Sequence, residues 1–310
     1  MTPPSVVAIV LNFRLPEATL RCVADLRAGT QVPSLVVVDN GSADGSVERL
    51  AATLTPDELV ALEANVGYCA AVNHGLAIAR QRGARYAWLV NNDVRLGVDV
   101  LATLARFLDV DPTVACVAPT MLREDGRVWS EGAEIGFRSN LIRLRRHGET
   151  PSPTTRGPEA VAFQPGACAL YRLADLAAIG DLDASYFMYW EDADLGTRLW
   201  ARGAKVVHLP WVRVVHSGAG SSGGGRSPLR KYLCALNSVR YLRRHGTVSQ
   251  WLALLLVDAW TWPFAFVGGT SLRACLAKGR GLFDGLRGKT ATAADVDRYL
   301  PLRTREVVAS

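Results

Sequence analysis

The chain has 310 residues, a formal net charge of +6 and a pI of about 9.1, and is 49% hydrophobic and 21% charged. That apolar content supplies a sizeable core and excludes disorder as a whole-chain description; the length fits two domains, or one α/β unit of about 200–250 residues with an appendage. Cys22, Cys69, Cys116, Cys168, Cys234 and Cys275 are scattered without a Cys-x-x-Cys pair, which argues against a zinc ribbon and a disulfide framework and predicts a reducing compartment.

The first residues, Met-Thr-Pro-Pro-Ser, carry no basic region ahead of the apolar run Val6 to Leu11, so no secretion signal is expected. From there apolar runs alternate with helix-like segments. Strands are predicted at Val6 to Leu11, Leu35 to Val38, Leu59 to Leu62, Tyr86 to Val90 and Val114 to Val117. Helices are predicted near Glu17 to Leu26, Ser46 to Leu54, Ala70 to Gln81 and Val98 to Leu108. This alternation predicts a doubly wound α/β half, in which ligands bind outside the carboxyl ends of the strands. The residues that follow the runs are polar: Asn12, Asp39-Asn40-Gly41-Ser42, Asn65-Val66-Gly67 and Asn91-Asn92-Asp93. A dinucleotide-binding Gly-x-Gly-x-x-Gly turn is excluded by Asn12-Phe13-Arg14-Leu15-Pro16 after the first strand, and no Walker loop occurs. Phosphate must then be met by another device, for which a strand-end carboxylate holding a divalent cation is the economical candidate.

Val128 to Phe163 is more polar, with Arg143, Arg145 and Arg146 and a Pro/Thr-rich piece from Pro151 to Pro158, and reads as a loop insertion over the sheet. Order is predicted again at Pro165 to Tyr171. Beyond it, Tyr186, Phe187, Tyr189 and Trp190 run into Glu191, Asp192 and Asp194, with Leu195, Leu199 and Trp200 at helical spacing behind them. Three acids also suit an ordinary helix start, where unpaired N–H groups and the dipole favour negative charge.

The ordered set Asp39-Asn40-Gly41-Ser42, Asn65-x-Gly67 with Asn73, Asn91-Asn92-Asp93, Gly166-Ala167, Glu191-Asp192 and His216 resembles the family 2 glycosyltransferases, and within them the rhamnosyltransferase-like branch, over about residues 5 to 220. The resemblance implies a GT-A fold: a Rossmann-like mixed central sheet flanked by helices, here with a C-terminal helical appendage. It divides the chain into a catalytic domain at 1–225, with a nucleotide-sugar half to about 120 and an acceptor half from 121, and a helical, basic and aromatic region at 226–310. It further implies an inverting transfer from a nucleoside diphosphate sugar, dTDP-rhamnose or a UDP-sugar, to a hydroxyl of a glycan or polyprenyl-linked acceptor.

In that reading Asp39 grips the base or ribose, as a carboxylate accepts from N–H and O–H groups. Asn12, Asn40, Gly41, Ser42, Asn65, Gly67, Asn73 and Asn92 shape the nucleotide site. Asp93, with Asn91 and His216, holds Mg2+ or Mn2+, which stabilises the departing diphosphate because it is in place before the bond breaks. Asn91 departs from the commoner acidic form and lowers the negative charge there. Asp192 is the base for the acceptor hydroxyl, Glu191 the alternate base or a positioning group, and Asp194 structural. Gly166, Ala167 and Trp190 meet the acceptor. Adjacent carboxylates cannot flank a glycosidic bond from two sides, which disfavours a hydrolase. The rival class is a catalytically silent nucleotide-sugar-binding or scaffold subunit. A sugar nucleotidyltransferase would need a Gly-rich basic loop after the first strand.

Ser217 to Gly225 reads as a segment that folds over the donor or as a linker. Beyond it Arg226, Arg230, Lys231, Arg240, Arg243 and Arg244 occur without an acid as far as Gly246. Trp251 to Val267, interrupted by Asp258 and Pro263, would span only about 25 Å as a helix, short of a hydrocarbon core of about 30 Å. Its aromatic and basic character suits the inner face of an anionic membrane or a homodimer interface, and nucleic-acid binding is disfavoured. The expected location is cytoplasmic, at or near that face.

Overall fold

The structure is a computed structural model that describes residues 5–136, 141–218, 227–258 and 270–299. Strand and helix alternate first as β1 (Val6–Asn12), α1 (Pro16–Arg27), β2 (Ser34–Asp39), α2 (Ser46–Ala51), β3 (Leu59–Ala61), α3 (Tyr68–Gln81) and β4 (Tyr86–Asn91). There follow β5 (Val94–Arg95), α4 (Val100–Val110), β6 (Val114–Leu122), β7 (Val128–Ser130), β8 (Ala133–Ile135), β9 (Ile142–Leu144) and β10 (Glu159–Ala160). Next come β11 (Cys168–Arg172), α5 (Leu173–Ile179), α6 (Glu191–Ala201) and β12 (Lys205–His216). The C-terminal helices are α7 (Pro228–His245), α8 (Val248–Ala253) with a π-helical turn Leu254–Asp258, α9 (Leu272–Leu286) and α10 (Ala293–Tyr299).

A 10-stranded mixed sheet runs β10-β12-β6-β11-β4-β1-β2-β3, with β5 added to β12 and β7 to β6. Strands β1 to β4 are parallel, whereas β11 is antiparallel to both β4 and β6. The central strands read as unbroken apolar runs because helices cover both faces, leaving no face for a polar alternation. Val7, Ile9, Val36 and Val38 enter one core with α3 and α6, and Val6, Ala8, Val10 and Val37 enter the other with α1 and α4. β12 is long enough to serve β10, β6 and β5 in turn, and Pro210 sits where its register against β6 slips between Leu209 and Arg213. A proline is tolerated there because it removes no ladder bond that the slip has not already broken.

The expected loop insertion at 128–163 is corrected. Its described residues include β7, β8, β9 and β10, with β8 and β9 forming a separate antiparallel pair. Val128, Ser130 and Ala133 are buried and Arg145 bridges to Glu134 and Glu159, so ion pairs hold together a segment whose polarity reads as loop.

The helical appendage packs on the α/β part through α7. Ser227 caps α7 by accepting from the amide of Arg230, and Pro228 occupies its first turn, where a missing N–H costs nothing. α9 lies along α7 so closely that a Cβ added at Gly281 would fall 2.3 Å from the Tyr232 carbonyl oxygen. Among the described residues no helix is long and apolar enough to cross a membrane. Gly281→Val should therefore lower stability by about 1–3 kcal/mol, read as a fall in the denaturant midpoint, because the helices must separate to admit the side chain.

Candidate active site

Sequence-distant polar residues meet because the strand registers bring them to one edge of the sheet. Asn12 lies opposite Asp39, and Leu11 lies opposite both Val38 and Asn91. Val90 lies opposite Cys168, so the Asn91 amide donates to the Ala167 carbonyl at 2.8 Å and brings Gly166-Ala167 beside Asn91-Asn92-Asp93. His216, opposite Val94 at the end of β12, places its Nε2 3.4 Å from Asp93 Oδ1.

These ends open into a cleft of about 710 Å³. Of the expected site residues, Asn40, Asn65, Asn91, Asn92, Asp93, Gly166, Ala167, Trp190, Glu191, Asp192 and His216 line it. Asn12, Asp39, Gly41, Ser42, Gly67 and Asn73 stand behind it. Asp39 is fully buried and accepts from Asn12 Nδ2 at 2.6 Å, Ser42 Oγ at 2.6 Å and the Ser42 amide at 3.0 Å. Asn12 is equally committed, since its Oδ1 accepts from Thr19 at 2.8 Å. These bonds hold the turn that presents Asn40, whose Nδ2 donates to Asn65 Oδ1 and whose Oδ1 accepts from the Val66 amide, both at 3.0 Å. Gly41, at φ +66, allows that approach, because a Cβ would lie 2.3 Å from the Ala64 backbone. Asn73 spends both ends of its amide on Leu182, donating at 2.8 Å and accepting at 3.2 Å, and so is a brace.

Asp93 and His216 are both buried, and Asp93 Oδ1 and His216 Nδ1 have no hydrogen-bond partner. The His216 ring rests on Trp129, with centroids 4.4 Å apart. Among the described residues no three His, Cys, Asp or Glu side chains converge as a metal cage. An orphaned carboxylate oxygen beside an imidazole fits a hard divalent cation that takes its other ligands from phosphate and water.

The acidic pair begins α6, whose preceding residue Trp190 has φ +75 and provides no side-chain cap. Phe187 and Tyr189 are also at positive φ, +61 and +71, a region disfavoured for bulky residues. The buried amide of Asn237 on α7 donates to the carbonyls of Tyr186 at 2.7 Å and of Met188 and Tyr189 at 3.0 Å, which holds this backbone in place. Burial pushes both carboxyls above the usual carboxylate range, and for Glu191 the neighbouring Asp192 adds to the rise. The amides of Ala193 and Gly166 and the Arg230 guanidinium oppose the rise at Asp192. Glu191 Oε2 is buried without a partner. Asp194 is turned away from the cleft and accepts from Arg198, His245 and Tyr186.

The cleft has a wall that the resemblance did not supply. Arg230, Lys231, Cys234, Leu254, Lys278 and Leu282 line it from α7, the turn after α8, and α9. The acid-free basic run was visible in the sequence, but nothing in its spacing showed that part of it faces the site. The expected covering segment lies, from Ala219 onward, outside the described residues.

Residues 5–180, more than half of the chain, match Glycosyl transferase family 2. The chain is a member of that family. It is 29% identical over 254 residues to the N-acetylglucosaminyl-diphospho-decaprenol L-rhamnosyltransferase of Mycobacterium tuberculosis (strain ATCC 25618 / H37Rv), covering 74% of this chain and 81% of that relative. It is 30% identical over 206 residues to the galactofuranosyltransferase GlfT1 of the same strain, covering 63% of this chain and 64% of the other. Among solved structures, the GalNAc-T7 complex with UDP, GalNAc and Mn2+ superposes with TM-score 0.62 at 14% identity, covering 97% of this chain, which spans 59% of that one. The mannosyltransferase PcManGT of Pyrobaculum calidifontis, with GDP-Man and Mn2+, superposes with TM-score 0.55 at 19% identity, covering 96% of this chain and 86% of that one. The fold of this family 2 member is the GT-A fold.

Glu191 also predicts a pH dependence. A carboxyl whose folded pKa is raised favours folding only while it is protonated, so its contribution is complete below the unfolded pKa and fades as pH rises through the folded one. Glu191→Gln should match the wild type in acid and exceed its stability by about 1–3 kcal/mol at neutral pH, measured by denaturant unfolding across pH.

Proposed function

We propose that this cleft transfers a sugar from a nucleoside diphosphate sugar, in the manner of a rhamnosyltransferase, to a hydroxyl of a polyprenyl-linked glycan acceptor. The observation that carries the reading is that the Asp93–His216 pair and the Glu191–Asp192 pair line one cleft. Asp39, with Asn40 and Asn65 lining the cleft in front of it, forms the nucleotide site. Asn91 and Asn92 extend this surface. Asp93 and His216 would hold Mg2+ or Mn2+, which when bound neutralises the leaving diphosphate.

Asp192 then accepts the proton of the acceptor hydroxyl while that oxygen attacks the anomeric carbon and the diphosphate departs from the opposite side, a single displacement with inversion. Its raised pKa makes it a better base than a solvated aspartate, and its place beside Gly166 and Trp190 puts it among groups suited to the acceptor. Glu191, deeper and with Oε2 unpartnered, positions the acceptor. The rhamnosyl- and galactofuranosyltransferase relatives and the Mn2+ complexes of the GT-A neighbours support the sugar class, acceptor class and metal in this reading. A cytoplasmic enzyme at the membrane surface would meet such an acceptor directly.

Nucleoside diphosphate release from a panel of dTDP-, UDP- and GDP-sugars, with acceptor and with Mg2+ or Mn2+, tests the proposal; no release with any pair would favour a silent binding subunit. Asp192→Asn should lower kcat by about 10²–10⁴ and leave donor affinity intact. The wild-type kcat should rise with pH along a limb above the ordinary carboxylate range. Asp93→Ala should instead weaken donor binding about tenfold or more in metal and change it little in chelator, by titration calorimetry.

A further inference from the structure

The C-terminal helices leave a row of apolar side chains facing water. On α9, Leu272, Leu276, Phe283 and Leu286 are 68%, 61%, 56% and 52% exposed. At about 100° per residue they fall within an arc of about 80°. That arc lies opposite the face α9 buries, where Gly281 and Gly285 press against the Tyr232 and Leu236 carbonyls of α7. The usual amphipathic arrangement is thus reversed, with small residues inward and large apolar ones outward. Arg273, Arg280 and Arg287 recur every seven residues along one flank of the stripe, all exposed. On the other flank Lys278 and Leu282 line the cleft. The turn after α8 repeats the theme: Leu255 and Leu256 are 55% and 65% exposed, and their neighbour Leu254 lines the cleft.

We propose that the outward face of α9, together with Leu255 and Leu256, docks on an anionic lipid bilayer and so seats the cleft at the membrane surface. The charge favours this occupant. Residues 227–299 hold 11 Lys or Arg against 4 Asp or Glu, a net +7, whereas the rest of the chain is close to neutral. Apolar side chains flanked by arginines match the boundary between acyl chains and anionic headgroups. A second copy would bring the same positive field to both sides of the contact.

This docking extends the reading of a polyprenyl-linked acceptor, but vesicle binding requires neither donor nor turnover, so either idea can fail without the other. The test is sedimentation of the full chain with vesicles of phosphatidylglycerol and phosphatidylcholine, against phosphatidylcholine alone. Binding should need the anionic lipid and weaken with salt. Arg273→Gln/Arg280→Gln/Arg287→Gln should lower partitioning about a hundredfold. Leu276→Gln/Phe283→Gln should lower it at least about tenfold, with the thermal midpoint of both variants near that of the wild type. Absent binding, or equal binding to neutral and anionic vesicles, overturns the proposal. A dimer in solution that Leu276→Gln/Phe283→Gln dissociates, without vesicle binding, overturns it in favour of a second copy.

Discussion

The backbone from Phe187 to Trp190 is the constraint on which the site depends. Three bulky residues in four hold positive φ there, each at a cost of about 1–3 kcal/mol, and the surroundings must outweigh it. Asn237 reaches from α7 to the carbonyls of Met188 and Tyr189 and to that of Tyr186 just before them, the Trp190 ring packs against Tyr241 with centroids 5.1 Å apart, and the Phe187 carbonyl accepts from the Cys69 amide of α3. Phe187 also joins Leu229, Tyr232 and Leu233 in a core of its own. The segment thereby ties three parts of the molecule together: the loop before α3, the carboxylates of α6 and the helices after β12.

The same segment explains Gly67 in a way its own sequence context does not. A Cβ at Gly67 would meet the Phe187 ring at 2.7 Å, and its φ of +88 is already unfavourable for other residues. Glycine is therefore required by an aromatic side chain 120 positions away in the sequence. Asp39 is a parallel case. A strand-end acid followed by Asn-Gly-Ser reads as a binding residue, and its oxygens also build the turn that carries Asn40 to the cleft.

These cases mark what the sequence could convey. The parallel half was legible because each central strand is a continuous apolar run followed by polar residues, and the wheel periodicity of α1, α3 and α4 is strong. Helix ends shifted by a few residues: α2 begins at Ser46 as expected but ends at Ala51 rather than Leu54, and α4 begins at Val100 rather than Val98. The strands at 128–163 were not legible, because alternation over three residues is too short to outweigh Pro, Thr and Arg. Which strand-end polar groups face the cleft was also hidden, since that depends on partners from other strands. The contribution of α7 and α9 had a signal in composition alone, and composition carries no direction.

The distribution of charge along the cleft follows a physical logic suited to an anionic donor. Asn40, Asn65, Asn91 and Asn92 present amides where acids would repel a diphosphate, and they can both donate and accept. Negative charge is confined to Asp93, beside His216, and to the acid pair at the start of α6. At that pair burial and mutual repulsion oppose ionisation, while the positive end of α6 and Arg230 favour it. The balance leaves proton affinity raised at both carboxyls. Arg230, which also rests over Tyr189 at 5.3 Å, links the strained segment to this balance: displacing the backbone at Tyr189 would move the cation that tempers Asp192. Geometry and acidity at the site are consequently one property, set from α7.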